Sequence, residues 1–379
     1  MFELSSDQLA IRDMAKAFAD ERIAPNAIAW DEAKHFPVDV LREAAALGMG
    51  AIYVREESGG SGMTRLDAAV IFEALSTGCP STAAYLSIHN MVSWMIDRFG
   101  SDDLRARFLP KLATMEHLSS YCLTEPGAGS DAAALKTRAR REGNSSYVLD
   151  GVKQFISGAG AADVYLVMAR TGGDGAGGVS AFVVEKGTPG LSFGANERKM
   201  GWNTQPTRQV ILEDARIPAA NLIGEEGQGF RIAMKGLDGG RVNIASCSLG
   251  GAALAFDTAK AHLETRQQFG RPLKDFQALQ FKLADMATDL EAARLMVRQA
   301  AQALDQGDPQ ATKLCAMAKR FATDAGSRIA DDALQLHGGY GYLQDYPLER
   351  IVRDLRVHRI LEGTNEIMRV IIARELLRP

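Results

Sequence analysis

The spacing of hydrophobic residues divides the chain into three parts. In the first part, apolar residues recur every three or four positions, as at Ile11, Met14, Ala15 and Phe18, which predicts an amphipathic helix that ends at Pro25. The same criteria predict further helices over residues 41–47, 66–75, 82–99 and 102–112. The first third of the chain is therefore predicted to be helical.

Short apolar and β-branched runs replace this pattern in the middle of the chain. They cover residues 147–149, 164–168, 179–184 and 210–212, and Gly, Asn, Asp and Pro residues separate them. This spacing is typical of antiparallel strands. The glycine-rich stretch 171–178 is predicted to be a flexible, solvated hairpin loop between two of these strands.

The helical periodicity returns from Gly227 onward. Seven apolar residues follow one another at intervals of mostly three or four positions: Leu279, Leu283, Met286, Leu290, Ala293, Val297 and Leu304. This repeat is typical of an antiparallel helical bundle. We expect Gly307 and Pro309 to end that helix, another helix to cover residues 310–335, and a last one to begin near Gly363.

Composition narrows the possible classes of protein. The 379 residues correspond to two or three domains, and a net charge of −4 offers no basic excess for binding nucleic acid. The four cysteines are far apart and the six histidines are scattered, so neither a disulfide framework nor a metal site is expected. The uncharged run 74–96 is too polar to span a membrane, and no signal peptide is visible, so we expect a bacterial cytoplasmic protein or a processed mitochondrial chain.

Three segments are rich in glycine and small polar residues, namely 121–131, 336–342 and 360–366. In the first, Gly127, Gly129 and Ala132 match the G-x-G-x-x-A spacing of dinucleotide-binding folds, but Pro126 and the lack of a βαβ pattern argue against such a fold. A glycine loop whose backbone approaches a phosphate or a flavin stays open. In the second segment, His337 could equally be a structural histidine at a helix end.

The third segment places Glu362 among apolar residues, directly before Gly363. A carboxylate that is partly removed from water has a raised pKa and suits general-base catalysis. Two alternatives stay open: Glu362 could cap a helix, or it could pair with one of the arginines at positions 350, 353, 356 and 359. The motifs G-x-S-x-G, H-E-x-x-H and G-x-x-x-x-G-K-[ST] are absent from the sequence, which argues against the usual hydrolases and P-loop proteins.

Taken together and in order, these segments resemble the acyl-CoA dehydrogenase family along essentially the whole chain. The most specific matches are Y-C-L-T-E-P-G-A-G-S-D (121–131), F-I-S-G-A-G (155–160), R-Q-Q-F-G-R-P-L (266–273), Q-L-H-G-G-Y-G-Y (335–342) and L-E-G-T-N-E-I (361–367). Two more segments, G-W-N-T-Q-P-T-R (201–208) and N-I-A-S-C-S-L-G (243–250), resemble members that act on short branched acyl groups.

The resemblance implies an α+β fold of three domains: an N-terminal helical domain over residues 1–118, a central antiparallel β domain over 119–226 and a C-terminal four-helix bundle over 227–379. It also implies FAD, and oxidation of the Cα–Cβ bond of an acyl-CoA thioester. In that reaction a carboxylate, here Glu362 of the E-G-T motif, removes the α proton, and the β hydrogen leaves as hydride to the flavin N5. Some relatives carry the base at the position of Gly240, which has no side chain to act.

The substrate implied first is isobutyryl-CoA, oxidised to methacrylyl-CoA in valine breakdown, with 2-methylbutyryl-CoA and butyryl-CoA as alternatives. The family assembles as a homotetramer and passes electrons to electron-transfer flavoprotein, with no metal, nucleic acid or membrane involved. Two other functions stay open: direct oxidation by O₂ on the same scaffold, and acyl-CoA binding without catalysis.

The resemblance also assigns binding residues, some of them reaching the FAD of a neighbouring subunit. The residues expected to contact FAD are Tyr121, Cys122, Leu123, Thr124, Gly127, Gly129, Ser130, Phe155, Ile156, Ser157, Arg266, Phe276, Gln277, Gln335, Leu336, His337, Gly338, Gly339, Thr364, Asn365 and Glu366. Thr124 is expected near the ring edge and Phe155 over the ring face, while residues 364–366 would offer free N–H groups at a helix start. The residues expected to contact the CoA portion are Ser130, Asp238, Gly239, Gly240, Arg241 and Arg374.

Overall fold

The N-terminal part of the molecule is helical. In a computed structural model, which describes residues 3–378, α1 (Ser6–Phe18) begins with a capping box in which the Ser5 side chain accepts from the Gln8 N–H. A π turn (Ala19–Ile23) and a 3-10 turn (Ala24–Asn26) follow without a break. The prediction that Pro25 ends this segment is wrong, because Pro25 lies in the first turn of a new helical stretch, where its missing N–H costs nothing.

Five further helices complete this part: α2 (Ala27–Ala33), α3 (Val38–Ala46), α4 (Arg65–Ser76), α5 (Pro80–Phe99) and α6 (Asp102–Ala113). The four helices predicted here are confirmed, with ends that differ by at most three residues. Almost all of α5 is buried, which fits the absence of charged residues from Pro80 to Ile96. Among residues 3–378, no helix is long and apolar enough to cross a membrane.

A β-sheet follows the helices. Its strands are β1 (Ser119–Cys122), β2 (Arg138–Glu142), β3 (Ser146–Ser157), β4 (Val164–Arg170), β5 (Val179–Glu185), β6 (Leu191–Phe193), β7 (Thr207–Pro218) and β8 (Leu222–Ile223). The order of the strands is β6-β7-β3-β2-β4-β5-β8, and β1 pairs with β4. The four predicted strands are confirmed, and the glycine-rich stretch 171–178 is the loop between β4 and β5.

The predicted antiparallel pairing holds for most strand pairs, but the sheet as a whole is mixed. Strands β1 and β4 are parallel, and so are β2 and β4. Because β3 is antiparallel to β2 and the chain reverses again before β4, β4 runs in the direction of β2. The spacing of apolar residues along a strand does not reveal whether it runs parallel or antiparallel to its neighbours.

Helices return in the last part of the chain: α7 (Gly229–Thr265), α8 (Gln277–Asp305), α9 (Ala311–His337), α10 (Pro347–His358) and α11 (Asn365–Leu376). Between α7 and α8 lies a small ribbon of β9 (Gln267–Gln268) and β10 (Arg271–Pro272). The predicted bundle is confirmed, since Met286, Leu290, Ala293 and Val297 of the heptad pattern are buried against α7 and α9. The small side chains of this core let the helices approach closely.

Helix α7 connects the parts of the molecule. It contacts α4 and α5 of the first helical layer, β5 of the sheet, and α8, α9 and α10 of the bundle. The segment from Gly236 to Ala252 is buried almost without a break, although α7 carries polar and charged residues there. Residues of α7 therefore lie where the three parts meet, which makes this helix the natural place for a site between them.

Candidate active site

The turn between α10 and α11 holds Glu362 in an uncommon backbone conformation. Its φ is +56°, and that of the following Gly363 is +89°. A non-glycine residue in the left-handed region is strained by about 1–2 kcal/mol, so contacts elsewhere must hold it. Two cations do so through main-chain oxygens: Arg241 Nε donates to the Glu362 carbonyl at 3.3 Å, and Lys319 Nζ donates to the Gly363 carbonyl at 2.7 Å.

The Glu362 carboxyl group itself is left without a partner. Its Oε2 atom is buried and has no hydrogen-bond partner among the described residues. Burial raises the pKa of Glu362 to about 7, while Arg241 and Lys319 act against that rise. The group is thus poised between its acid and its base form near neutral pH.

Both alternatives for Glu362 that the sequence left open are wrong. The cap of α11 is Thr364, whose side chain accepts from the Ile367 N–H at 3.3 Å. Three of the preceding arginines pair elsewhere, namely Arg350 with Asp354, Arg353 with Asp31 and Glu349, and Arg359 with Asp324, and the fourth, Arg356, is exposed.

Gly240 on α7 leaves the space that the carboxyl group occupies. A Cβ atom at this position would lie 2.6 Å from Glu362 Oε2 and 3.0 Å from the Met91 sulfur on α5. No real Cβ tolerates the first of these distances. The position where some relatives carry a catalytic carboxylate is therefore in contact with the carboxylate of Glu362, and only one of the two positions can hold such a group.

Lys319 is a buried lysine beside the Glu362 turn that the sequence did not indicate. It is fully buried on α9, and burial lowers its pKa to about 7. Besides the Gly363 carbonyl, its ammonium group donates to Asn365 Oδ1 at 2.9 Å. The expectation that Asn365 offers a free N–H is wrong, because that N–H donates to the Arg359 carbonyl and the side-chain amide donates to Thr323 and Asp324.

The residues assigned to the CoA portion fall into two sets. Asp238 is buried, with one oxygen accepting from Arg241 at 2.7 Å and the other from Thr312 at 2.8 Å. Its carboxylate thus orients Arg241, and the expected CoA contact of this side chain is not supported. Ser130, on the loop after β1, is exposed, and so is Arg374 in the last turn of α11, where it pairs with Glu375 at 3.4 Å.

The flavin residues assigned to the β domain form an open face next to Glu362. The side chains of Cys122, Leu123 and Ile156 are buried, so any contact with a cofactor would come from their backbone. Phe155, in contrast, has φ +59° and is 63% exposed. Tyr121 Oη is buried without a partner, and its pKa is raised by burial and by the nearby Glu362.

These features fit a flat cofactor with polar edges. An exposed aromatic face in a strained backbone, an orphaned hydroxyl group and open space around Gly127 and Gly129 are what a flavin ring and its ribityl chain require. The Thr124 carbonyl accepts from the Gln154 N–H at 2.8 Å, which ties the glycine loop to β3 beside Phe155. FAD fits this face.

A buried ion pair under the glycine loop also has no signal in the sequence. Lys153 is fully buried on β3, and its Nζ lies 2.7 Å from Glu125 Oε1 and 3.1 Å from the Leu123 carbonyl. Glu125 in turn accepts from the N–H groups of Lys136 and Thr137. The pair thereby fixes the backbone of residues 123–125 from below.

A second group of assigned FAD residues lies far from Glu362. Arg266 follows the C-terminal end of α7, Phe276 and Gln277 begin α8, and residues 335–339 end α9. His337 is buried and stacks on His262 at 4.2 Å, whereas Gly338 and Gly339 face open space. Arg266 comes 26 residues after Gly240, which is about 40 Å along the helix. One chain therefore does not bring the two groups together.

Comparison with known proteins agrees with this geometry. Family models for the acyl-CoA dehydrogenase N-terminal, middle and C-terminal domains match residues 5–116, 120–215 and 227–377. The chain belongs to the acyl-CoA dehydrogenase family, and is therefore an FAD-dependent oxidoreductase that acts on an acyl-CoA substrate.

Individual relatives narrow the similarity. The chain is 58% identical to the mitochondrial isobutyryl-CoA dehydrogenase of Bos taurus over 375 residues, covering 99% of this chain and 90% of that one. It is 57% identical to the corresponding protein of Dictyostelium discoideum, with coverages of 98% and 90%. Butyryl-CoA dehydrogenase from Megasphaera elsdenii has the same fold, with a TM-score of 0.97 at 38% identity over the full length of both chains.

Replacing Lys153 with Met tests the buried pair under the glycine loop. It would leave the Glu125 carboxylate buried without its cation, so we expect a loss of about 3–5 kcal/mol in the free energy of unfolding. FAD should also dissociate more readily, since the loop loses its support. Urea unfolding and the flavin absorbance retained after gel filtration measure the two effects. The double variant with Glu125→Gln should recover part of the stability, and a single variant as stable as the wild type would contradict this role.

Gly240→Ala tests the contact between α7 and Glu362. The added methyl group displaces the carboxyl group, and because such shifts of a reacting group are costly, we expect kcat/KM to fall about 100-fold while FAD stays bound. Gly173→Ala is the matched control, since this loop glycine has nothing within 4 Å of a Cβ atom. Full activity of Gly240→Ala would show that the contact does not matter.

Proposed function

We propose that this protein oxidises a short branched acyl-CoA, isobutyryl-CoA to methacrylyl-CoA in valine breakdown, with Glu362 as the base that removes the α proton. The observation that supports this most directly is the buried, unpartnered Oε2 of Glu362, with a pKa of about 7, next to the face that fits FAD. The names of the two relatives at 57–58% identity support the choice of isobutyryl-CoA.

The residues around Glu362 suit proton removal. The carboxyl oxygen has no competing hydrogen-bond donor, so its lone pairs stay available for the α proton. Arg241 and Lys319 fix the main chain on both sides of the carboxyl group and reduce the cost of its ionised form. The Glu362 N–H has no acceptor among the described residues and is available to a thioester oxygen, which would make the α proton more acidic. FAD, when bound, supplies the acceptor for the β hydrogen.

The assembly and the electron acceptor belong to the same proposal. Because Arg266 lies about 40 Å along α7 from Gly240, the position beside Glu362, we propose that Arg266, Phe276 and residues 335–339 serve the FAD of a second copy of the chain. The exposed aromatic residues Phe269 and Tyr342 in the same region support such an interface. A homotetramer that reduces electron-transfer flavoprotein is the expected form.

Glu362→Gln tests the base. The amide preserves the shape but cannot accept the proton, so we expect FAD and acyl-CoA to bind and dehydrogenation to fall by about 10²- to 10⁴-fold. In the wild type, kcat/KM should decline as the pH falls through about 7, because protonation removes the base. Stopped-flow flavin reduction across pH measures both effects, and undiminished turnover by the variant would refute the assignment.

The same variant should also change how the stability of the protein depends on pH. Between about pH 4.5 and 7 the folded protein holds a proton on Glu362 that the unfolded chain has lost, so this group destabilises the fold increasingly as the pH rises. Glu362→Gln lacks this penalty. Its melting temperature relative to the wild type should therefore increase from pH 5 to pH 8, and a constant difference would argue against the raised pKa.

An anaerobic titration with isobutyryl-, 2-methylbutyryl- and butyryl-CoA tests the substrate. We expect all three to bleach the flavin absorbance and isobutyryl-CoA to do so fastest, since one methyl group changes pocket binding by about 1–3 kcal/mol. A faster reaction with butyryl-CoA would reassign the substrate to a linear chain. A yellow protein that none of them bleaches would refute the short-chain assignment, and a colourless protein that binds them would indicate a non-catalytic role.

A further inference from the structure

An arginine at the end of β4 joins two loops of the β domain. Arg170 is the last residue of β4 and directly precedes the glycine-rich loop 171–178. Its guanidinium group is half-buried and, among the described residues, donates only to main-chain carbonyl groups. The planar fork of an arginine is pre-organised for several such bonds at once, so the group holds the backbone that it contacts.

One side of the guanidinium group holds the loop 126–135, which contains Ser130. Nη2 donates to the Ala133 carbonyl at 2.7 Å, and Nε donates to the Leu135 carbonyl at 3.1 Å. Ala133 comes only three residues after Ser130. The position of Ser130 therefore depends on carbonyl groups that Arg170 fixes.

The rest of the loop 126–135 transmits this constraint. Its two ends are tied together, because the Glu125 carboxylate accepts from the N–H groups of residues 136–137 at 2.6 and 2.9 Å. Between Ser130 and the contacts of Arg170, the Asp131 carbonyl accepts from the Ala134 N–H at 3.1 Å. The segment is thus a compact loop with closed ends, and Arg170 fixes the half that returns to the sheet.

The other side of the guanidinium group holds the glycine-rich loop. Nη1 donates to the Gly175 carbonyl at 3.0 Å. The base of this loop is closed, since the N–H groups of Thr171 and Gly172 donate to the Gly178 carbonyl at 2.9 and 3.1 Å. Arg170 therefore ties two exposed loops to each other and to the end of β4.

We propose that Arg170 is a positioning residue for the substrate: by joining the two loops it holds Ser130 where Ser130 contacts the CoA portion of the acyl-CoA. An exposed loop that is ordered before binding does not have to be ordered at the expense of affinity. Arg170 has no hydrogen bond to the Glu362 turn among the described residues, so its loss should weaken binding and leave the chemical step unchanged. This inference rests on the proposed function and on the assignment of Ser130 to CoA.

Arg170→Met tests the inference in the FAD-loaded enzyme, because methionine is unbranched and apolar and has no N–H groups to donate. We expect KM for isobutyryl-CoA to rise about tenfold and kcat to stay within about twofold of the wild type, since the loop 126–135 must then be ordered on binding. The KM for the isobutyryl thioester of N-acetylcysteamine, which lacks nearly all of the CoA portion, should not change. Steady-state kinetics with both thioesters and excess FAD measure this split.

Ser130→Ala shows whether Arg170 acts through Ser130. It should give the same split, and the double variant should bind isobutyryl-CoA no more weakly than Arg170→Met alone, because a displaced Ser130 has no contact left to lose. Effects that multiply in the double variant, or a wild-type KM in either single variant, would overturn the proposal. An equal rise in KM for both thioesters would also overturn it, by showing that Arg170 is only structural.

Arg216→Met is the matched control. Arg216 lies on β7 of the same sheet, is exposed and pairs with Glu142, so both KM values should stay at the wild-type level. If Arg170→Met does not fold, Arg170→Lys serves in its place: it keeps the charge but not the fork, and should show the same split with a smaller rise. Failure of the Glu362 assignment is separate, because it shows as turnover by Glu362→Gln.

Discussion

A partly buried glutamate, whose buried Oε2 has no hydrogen-bond partner among the described residues, is the constraint on which the centre of this protein depends. Desolvation favours the neutral form, and the backbone of Glu362 is in a strained conformation as well. Both costs have to be met by the surrounding fold. The carbonyl groups of Glu362 and Gly363 accept from Arg241 and Lys319, so the cations hold the main chain while the carboxyl oxygen stays free.

Buried charged groups also hold the main chain under the glycine loop, on the side of the site opposite Glu362. Lys153 and Glu125 form a buried pair that supports the backbone of the glycine loop, and neither reaches the open face beside Phe155. Asp238 orients Arg241 in the same way. Buried ion pairs of this kind contribute little net stability, but removing one partner strongly destabilises the fold. They therefore keep the backbone around the site in a single arrangement. The reacting surface keeps the groups that are unsatisfied: Glu362 Oε2 and Tyr121 Oη.

The sequence predicts most of the fold, and a part of the site. The repeat in α8 and the β-branched runs of β4 and β5 carry their structure locally, and Glu362 and Phe155 stand in recognisable motifs. Strand β2 was missed because its residues, R-A-R-R-E, are polar and only Ala139 is buried. Lys319 and Lys153 were missed for another reason: each contacts a residue distant in sequence, and a single lysine in a helix or strand has no local signal that distinguishes it from a surface charge.

The charge of Lys319 also affects the protonation of Glu362, although its ammonium group donates to Gly363 and Asn365 and not to the carboxyl group. Burial brings the pKa of each group to about 7, and each favours the charged form of the other. Two groups coupled in this way titrate as a pair, so the acid limb of any pH profile belongs to both. When Glu362 has taken up the α proton it no longer supports the Lys319 cation, which then loses its proton more readily. The charge on Lys319 is therefore lowest when the base is protonated and highest when the base is ready to act.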